Sequence, residues 1–289
     1  MNIADQFSAP YNRVNFSFEI FPPKQDADFS SVSAAAFALS RCEPDFMSVT
    51  YGAGGGTSKN TLKIAKMLQE ECGIPALAHL TCASATKAEI AQHLDALQEQ
   101  GIENILALRG DIPEGQQFPT QRQYRYATDL MADIAKHGGF CVGGACYPET
   151  HPEAKSAQDD IDNLKRKQDA GCRYLITQFF FDNNVFYDFL DRCAAAGVTI
   201  PIIPGVMPVL NAGQIKRMCA LSGAALTPKF ERMVTKYHAD PYAMQQAGIA
   251  YATEQITDLL SFNVPGIHLY TMNKPEIAVA IRSNIRFLY

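Results

Sequence analysis

The stretch ALAHLTCASATKAEIAQHLDALQEQGIENILALRGD, residues 76–111, holds the unit from which the rest of the chain is built. Ala76–Leu80 and Asn104–Arg109 are short apolar runs of strand length. Between them, TKAEIAQHLDALQEQ places Ile90, Leu94 and Leu97 on one helical face. Thr86, followed three residues later by Glu89, is a capping-box start, and Gly101 stands where a left-handed C-terminal cap is wanted. Strand, helix and strand in that order make a parallel βαβ unit, because a parallel pair needs a long crossover.

The same alternation runs along the chain. Further strands are expected at Val14–Phe21, Asp45–Thr50, Phe140–Tyr147, Arg173–Gln178, Ile200–Ile203 and Ile267–Tyr270. Helical patterns fill the spaces in SSVSAAAFALSR, SKNTLKIAKMLQEE, YATDLMADIAKH, SAQDDIDNLKRKQDA and NVFYDFLDRCAAA, with Gly171 and Gly197 as further caps. Strand ends fall near Glu19, Thr50, His79, Arg109, Tyr147, Gln178, Pro204 and Tyr270. The first six are spaced by 31, 29, 30, 38 and 31 residues, one βα unit each, while the last interval of 66 implies extra helices before the final strand. Eight such units close a barrel, and no Pro/Ser-rich linker interrupts them. Residues 1–289 are therefore read as a single-domain α/β protein, a (β/α)8 TIM barrel.

Composition narrows the partners. With 47% hydrophobic and 19% charged residues the chain is of the soluble globular kind. Its net charge of −5 argues against nucleic acid, which calls for a basic surface. The longest uncharged stretch, Cys193 to Ile215, contains Pro201, Pro204 and Pro208, so it reads as a buried strand with turns rather than a membrane span. No secretory signal is visible in MNIADQFSAPYNR. Eight scattered cysteines without a CxxC pair suit reduced thiols in a cytoplasmic protein, and no metal site is expected.

Polar residues recur where the strands end: Glu19, Thr50-Tyr51, His79, Arg109-Gly110-Asp111, Tyr147 with His151, and Gln178. In a (β/α)8 barrel these ends open on one face, so the groups converge in one bowl, the expected active site. Glu19, among Phe18, Phe21, Pro22 and Pro23, is a candidate general acid, since desolvation disfavours the carboxylate anion. GAGGGT at 52–57 lacks the last glycine of GxGxxG, and GxxxxGK[ST], GxSxG and HExxH are missing.

Eight collinear blocks carry a resemblance: FSFEIFPPK (16–24), MSVTYGAGG (47–55), AHLTC (78–82), ALRGDIP (107–113), YPETHPEAKSAQDDIDNLKRKQDAG (147–171), ITQFFFD (176–182), IIPGVMPV (202–209) and HLYTMNK (268–274). Over nearly its whole length the chain closely resembles the bacterial methylenetetrahydrofolate reductases. The resemblance implies a barrel that binds FAD non-covalently and reduces 5,10-methylenetetrahydrofolate to 5-methyltetrahydrofolate, supplying methyl groups for methionine synthesis. NADH, or NADPH, is the implied reductant in a ping-pong cycle, and a homo-oligomer is expected. The alternative held open is another FAD-binding barrel oxidoreductase, such as a proline-dehydrogenase-like enzyme.

Residue by residue, the resemblance makes Glu19 the proton donor. Asp111 becomes the charge that stabilises an iminium, and Gln178 a contact to pterin and nicotinamide. FAD contacts are implied at Thr50, Tyr51, Ala53, His79, Arg109, Gly110, Asp111, Tyr126, Ala127, Tyr147, His151, Ala154, Asp160, Asn163, Arg166 and Lys167. Arg109, Arg166 and Lys167 are expected to gather at the pyrophosphate. Lys274 is implied to bind substrate and stands where an arginine is common. Ala212 follows Asn211 where relatives can carry an aromatic. The C-terminal regulatory domain of eukaryotic relatives is expected to be absent, and with it inhibition by S-adenosylmethionine.

Overall fold

The computed structural model describes residues 1–7, 14–23, 28–51, 58–111 and 123–288. Among these residues, nine parallel strands form one sheet: β1 (Asn15–Ile20), β2 (Phe46–Val49), β3 (Ala76–Thr81), β4 (Asn104–Leu108), β5 (Cys141–Cys146), β6 (Tyr174–Thr177), β7 (Ile202–Ile203), β8 (Gly205–Val206) and β9 (Gly266–Tyr270). The order β7-β6-β5-β4-β3-β2-β1-β9-β8 brings both edges to one piece of chain, since only Pro204 separates β7 from β8. The seventh strand expected from the sequence is thus two short ones. Ile202 and Ile203 pair with β6, while Gly205 and Val206 pair with β9. Pro204 has no N–H to give a ladder, but its carbonyl accepts from the His268 N–H at 3.0 Å, so the barrel closes around it.

Helices α1 (Phe29–Ser40), α2 (Ser58–Glu70), α3 (Lys87–Glu99), α4 (Ala127–His137), α5 (Ala157–Asp169) and α6 (Asn183–Ala195) follow the first six strands. The capping box at Thr86 and Glu89 forms, and Gly101, Gly171 and Gly197 take φ of +68°, +98° and +77°. The long last interval holds α7 (Ala212–Ser222), α8 (Pro228–Tyr237) and α9 (Pro241–Ser261), and α10 (Pro275–Ile285) follows β9. All eight cysteines are free thiols, five of them buried. No described helix is long and apolar enough to cross a membrane.

Burial on both faces explains the near-continuous apolar strands. Along β1, Phe16, Phe18 and Ile20 join the core under the helices with Val32, Ala36 and Leu39. Ser17 and Glu19 alternate with them and point inside. A second core fills the barrel's lower interior with Phe46, Leu77, Leu106, Tyr174, Ile176 and Ile203. An N-terminal 3-10 helix, Ile3–Phe7, plugs that end, and Phe7 meets the rings of Phe46 and Tyr174 at 6.2 and 5.4 Å. Tyr174 fits inside only because β5 carries glycine opposite it: a Cβ on Gly143 would lie 2.6 Å from the ring. Gly143→Ala is therefore expected to lower the unfolding free energy by about 1–3 kcal/mol, the usual cost of overpacking, as read from denaturant midpoints. An unchanged midpoint would mean the Tyr174 ring has room to move.

Candidate active site

The upper half of the barrel opens into a cavity of about 290 Å³. Glu19, Thr50, His79, Tyr147 and Gln178 line it, each from a different strand end, as the sequence pattern predicts. Residues not proposed for the site from the sequence join them, among them His268 and Tyr270 from β9, Met207 after β8, Met218 from α7 and Met272. His268 and Tyr270 were findable, because they are two apart on a strand whose neighbour is β1. Met218 was not, since it depends on how α7 folds over the mouth. Ala212 opens that helix, behind the Asn211 cap, and is not among the lining residues.

Glu19 is only 6% exposed. Its Oε2 lies 3.6 Å from His79 Nε2 and 4.0 Å from His268 Nε2. Sequence neighbours suggested a wholly apolar setting, but Phe18 faces the helices, and in space Glu19 meets two imidazoles. His79 Nε2 is buried with no hydrogen-bond partner among the described residues. Burial pulls the His79 imidazole from its ordinary 6.5 down to about 4, against the opposing pull of Glu19 and with a smaller push from His268. The residue is therefore neutral at pH 7.

The strand end carrying Glu19 is held by its neighbour. The Thr271 hydroxyl donates to the Glu19 carbonyl at 2.6 Å. The Asn273 amide both accepts from Phe21 N–H at 2.8 Å and donates to its carbonyl at 2.9 Å. Met272 and Asn273 sit at φ +53° and +56°, a left-handed conformation that these contacts over-determine. Across the mouth, the Tyr270 hydroxyl donates to the Thr177 carbonyl at 2.6 Å. Gly205 leaves the space for this bond, since a Cβ there would come within 2.8 Å of that hydroxyl.

A polar rim continues from Tyr147. Its phenol is pushed above its ordinary range by burial and shares a hydrogen bond with Gln178, whose own Oε1 accepts from Phe179 N–H at 3.0 Å. The Tyr147 ring meets His151 edge-on at 4.6 Å. His151 N–H donates to Asp160, and Ala154 N–H donates to the His151 carbonyl, both at 2.8 Å. Arg109 is committed to Glu153 through two hydrogen bonds, which raise its pKa further. Lys167 donates to the Ala145 carbonyl at 2.6 Å, and Arg166 to Asn163 at 2.5 Å. Each of the three cations is thus held by a protein partner.

Other expected residues stand away from the lining. Tyr51 bonds His93 at 3.2 Å, exposed Tyr126 caps α4 and Ala127 opens it, buried. Gly110 takes φ +83° against Thr81, Asp111 is exposed, and Lys274 is the exposed cap of α10. Ala53 lies outside the described residues.

His79 gives this site a pH signature. Between pH 6.5 and 4 the unfolded chain binds a proton there that the folded chain refuses, so stability falls as pH drops through that window. At 1.36 kcal/mol per unit, wild type should lose about 3 kcal/mol more than His79→Asn between pH 7 and 4 in urea unfolding. Equal losses would place a charged imidazole in the cavity.

The sequence model of the family described as Methylenetetrahydrofolate reductase matches residues 5–286. The chain is 38% identical to 5,10-methylenetetrahydrofolate reductase of Pectobacterium carotovorum, covering 93% of this chain and 89% of that one. It is 38% identical to the Escherichia coli enzyme of the same name, covering 93% and 90%. Against Methylenetetrahydrofolate reductase (NADH) 1 of Zea mays the identity is 34%, over 94% of this chain and 48% of the plant one. A Clostridium thermocellum protein described as binding two copies of 5-methyl-5,6,7,8-tetrahydrofolic acid shares the fold, with a TM-score of 0.62 at 16% identity over 96% of each chain. With its strand-end residues gathered in one barrel mouth and its sequence matched almost end to end, the chain belongs to the methylenetetrahydrofolate reductase family.

Proposed function

We propose that the chain reduces 5,10-methylenetetrahydrofolate to 5-methyltetrahydrofolate with electrons from NADH or NADPH passed through bound FAD, the two substrates taking turns in one cavity. The observation that carries this reading is the single carboxyl group on the described cavity lining, Glu19. Opening the imidazolidine ring of the folate requires a proton on the departing nitrogen before the carbon can accept hydride. A buried acid facing the cavity supplies that proton. His79, 3.6 Å away, is neutral at pH 7, so no positive charge stands at that ring.

The residues present fit a flavin. The unpartnered His79 Nε2 and the polar groups of Thr50, Tyr147 and Gln178 offer hydrogen bonds, while Leu106, Leu108, Ala145 and Ile176 offer apolar walls for a flat ring. Arg109, His151, Asp160, Asn163, Arg166 and Lys167 would hold the pyrophosphate and ribose along the rim. When bound, FAD supplies a two-electron carrier between nicotinamide and folate. Asp111 is outside the lining, but its charge reaches Tyr147, which is inside, so it can stabilise a cationic iminium of the folate there. Gln178 presents its amide to whichever ring occupies the cavity. Methionine synthesis is the destination this product chemistry implies.

The purified protein should be yellow, bleach when NADH is added without oxygen, and regain colour with methylenetetrahydrofolate. A colourless protein unable to take up FAD overturns the reading. Glu19→Gln should keep the NADH-driven bleaching and lose about 10²–10⁴-fold in the rate of recolouring, the range for removing a general acid. Undiminished recolouring by that variant would remove Glu19 from its role.

A further inference from the structure

Helix α7 brings Met218 into the cavity lining, and what holds that helix in place lies outside the cavity. Ala212, Ile215, Met218 and Cys219 recur at three and four residues, so they share one face. Ile215 is buried in a core with Phe179, Val209 and Phe230, and the other three pack against that core. The chain is fixed on either side of the helix. Before it, Val209 lies against α9, where a Cβ on Gly248 would come within 2.0 Å of the Val209 carbonyl oxygen. After it, Phe230 of α8 stacks on Phe181 at 4.3 Å.

Between those points, one hydrogen bond among the described residues joins residues 211–225 to the rest of the fold: the Ala225 N–H donates to the Glu149 carboxylate at 2.5 Å. The other side-chain bonds of the segment are internal, Asn211 accepting from Gly213 N–H and Ser222 from Ala224 N–H. Gly223, the left-handed cap of α7 at φ +78°, seats against the same loop as Glu149, since a Cβ there would meet Pro152 at 3.1 Å. That loop is itself held. The Thr150 N–H donates to the Tyr147 carbonyl at 3.2 Å, and Thr150 keeps φ +78°, which a β-branched residue adopts only where its surroundings impose it. Within three residues, Tyr147 reaches into the cavity and Glu149 reaches the end of α7.

We propose that Glu149 is a positioning residue that seats α7, and with it Met218, over the cavity, so that both ligands depend on it for binding and neither for chemistry. This rests on the proposed use of one cavity by nicotinamide and folate in turn. A charged acceptor makes the stronger bond to an N–H, and Glu149 is not among the described residues lining the cavity. Without that bond α7 is seated for a smaller fraction of the time, and apparent affinity falls in proportion to that fraction.

Hydrogen exchange and stopped flow on the holoenzyme test this. In Glu149→Ala, amides of residues 216–223 should exchange about tenfold faster, while those of β9 keep their wild-type rates. The concentrations of NADH and of methylenetetrahydrofolate that half-saturate their half-reactions should each rise about tenfold, with both limiting rates unchanged. Glu149→Gln, which keeps an acceptor oxygen, should restore both readouts. Glu149→Asp, one methylene shorter, should behave as the alanine variant and replaces it if that variant does not fold. Unchanged exchange in α7 overturns the proposal, as do faster exchange with unchanged half-saturation and a fall in either limiting rate. A wild-type enzyme whose flavin is not reoxidised by folate overturns the assigned reaction instead, and the exchange measurement still decides whether Glu149 seats α7.

Discussion

Placing a carboxyl group inside a closed barrel costs several kcal/mol unless it is neutral or well partnered, and the mouth of this barrel is arranged around that constraint. Glu19 is almost fully buried, and no lysine or arginine is among the described residues lining the same cavity. Its nearest titratable neighbours are two imidazoles, of which His79 is held neutral by burial. A lysine or arginine at either histidine's place would put a full positive charge beside the carboxyl group. The cations of the rim are kept away from it: Arg109 is turned to Glu153, and Lys167 is anchored on the Ala145 carbonyl.

Rigidity serves the same end. Thr271 and Asn273 tie the backbone around Glu19 to the turn after β9. Tyr270 reaches across the split seventh strand to the Thr177 carbonyl. These bonds hold the acid, Gln178 and the β9 side chains in one frame, so a ring entering the cavity meets donors already placed. The remaining wall is built differently. Met207, Met218 and Met272 are long, polarisable and adaptable, a surface that can re-pack around what it contacts.

Much of the scaffold was legible beforehand because its signals are local. The strand runs, the Thr86–Glu89 box and the glycine caps each depend on a few neighbouring residues, and each appears in the structure. The seventh strand was legible only in part. Pro204 shows that a ladder bond must be missing there, but not that the strand changes partner at that residue. The site divides along the same line. Glu19, Thr50, His79, Tyr147 and Gln178 could be named because strand ends of a parallel barrel converge, whereas Met218 arrives on a helix whose path no local pattern specifies.

By itself, then, the sequence determined the repeating βαβ unit, the single barrel and the strand-end residues that meet in its mouth. Hydrophobic periodicity and capping act over a turn or two of chain, and parallel closure then leaves little freedom. Tertiary structure alone decided what surrounds Glu19. Phe18, adjacent in sequence, faces the helices, while His268, about 250 residues away, stands 4.0 Å from the carboxyl and 2.8 Å from the Ser17 hydroxyl. The pairing of β1 with β9 brings them together, and the protonation of a buried acid depends on the groups a few ångströms away in space, whatever their distance along the chain.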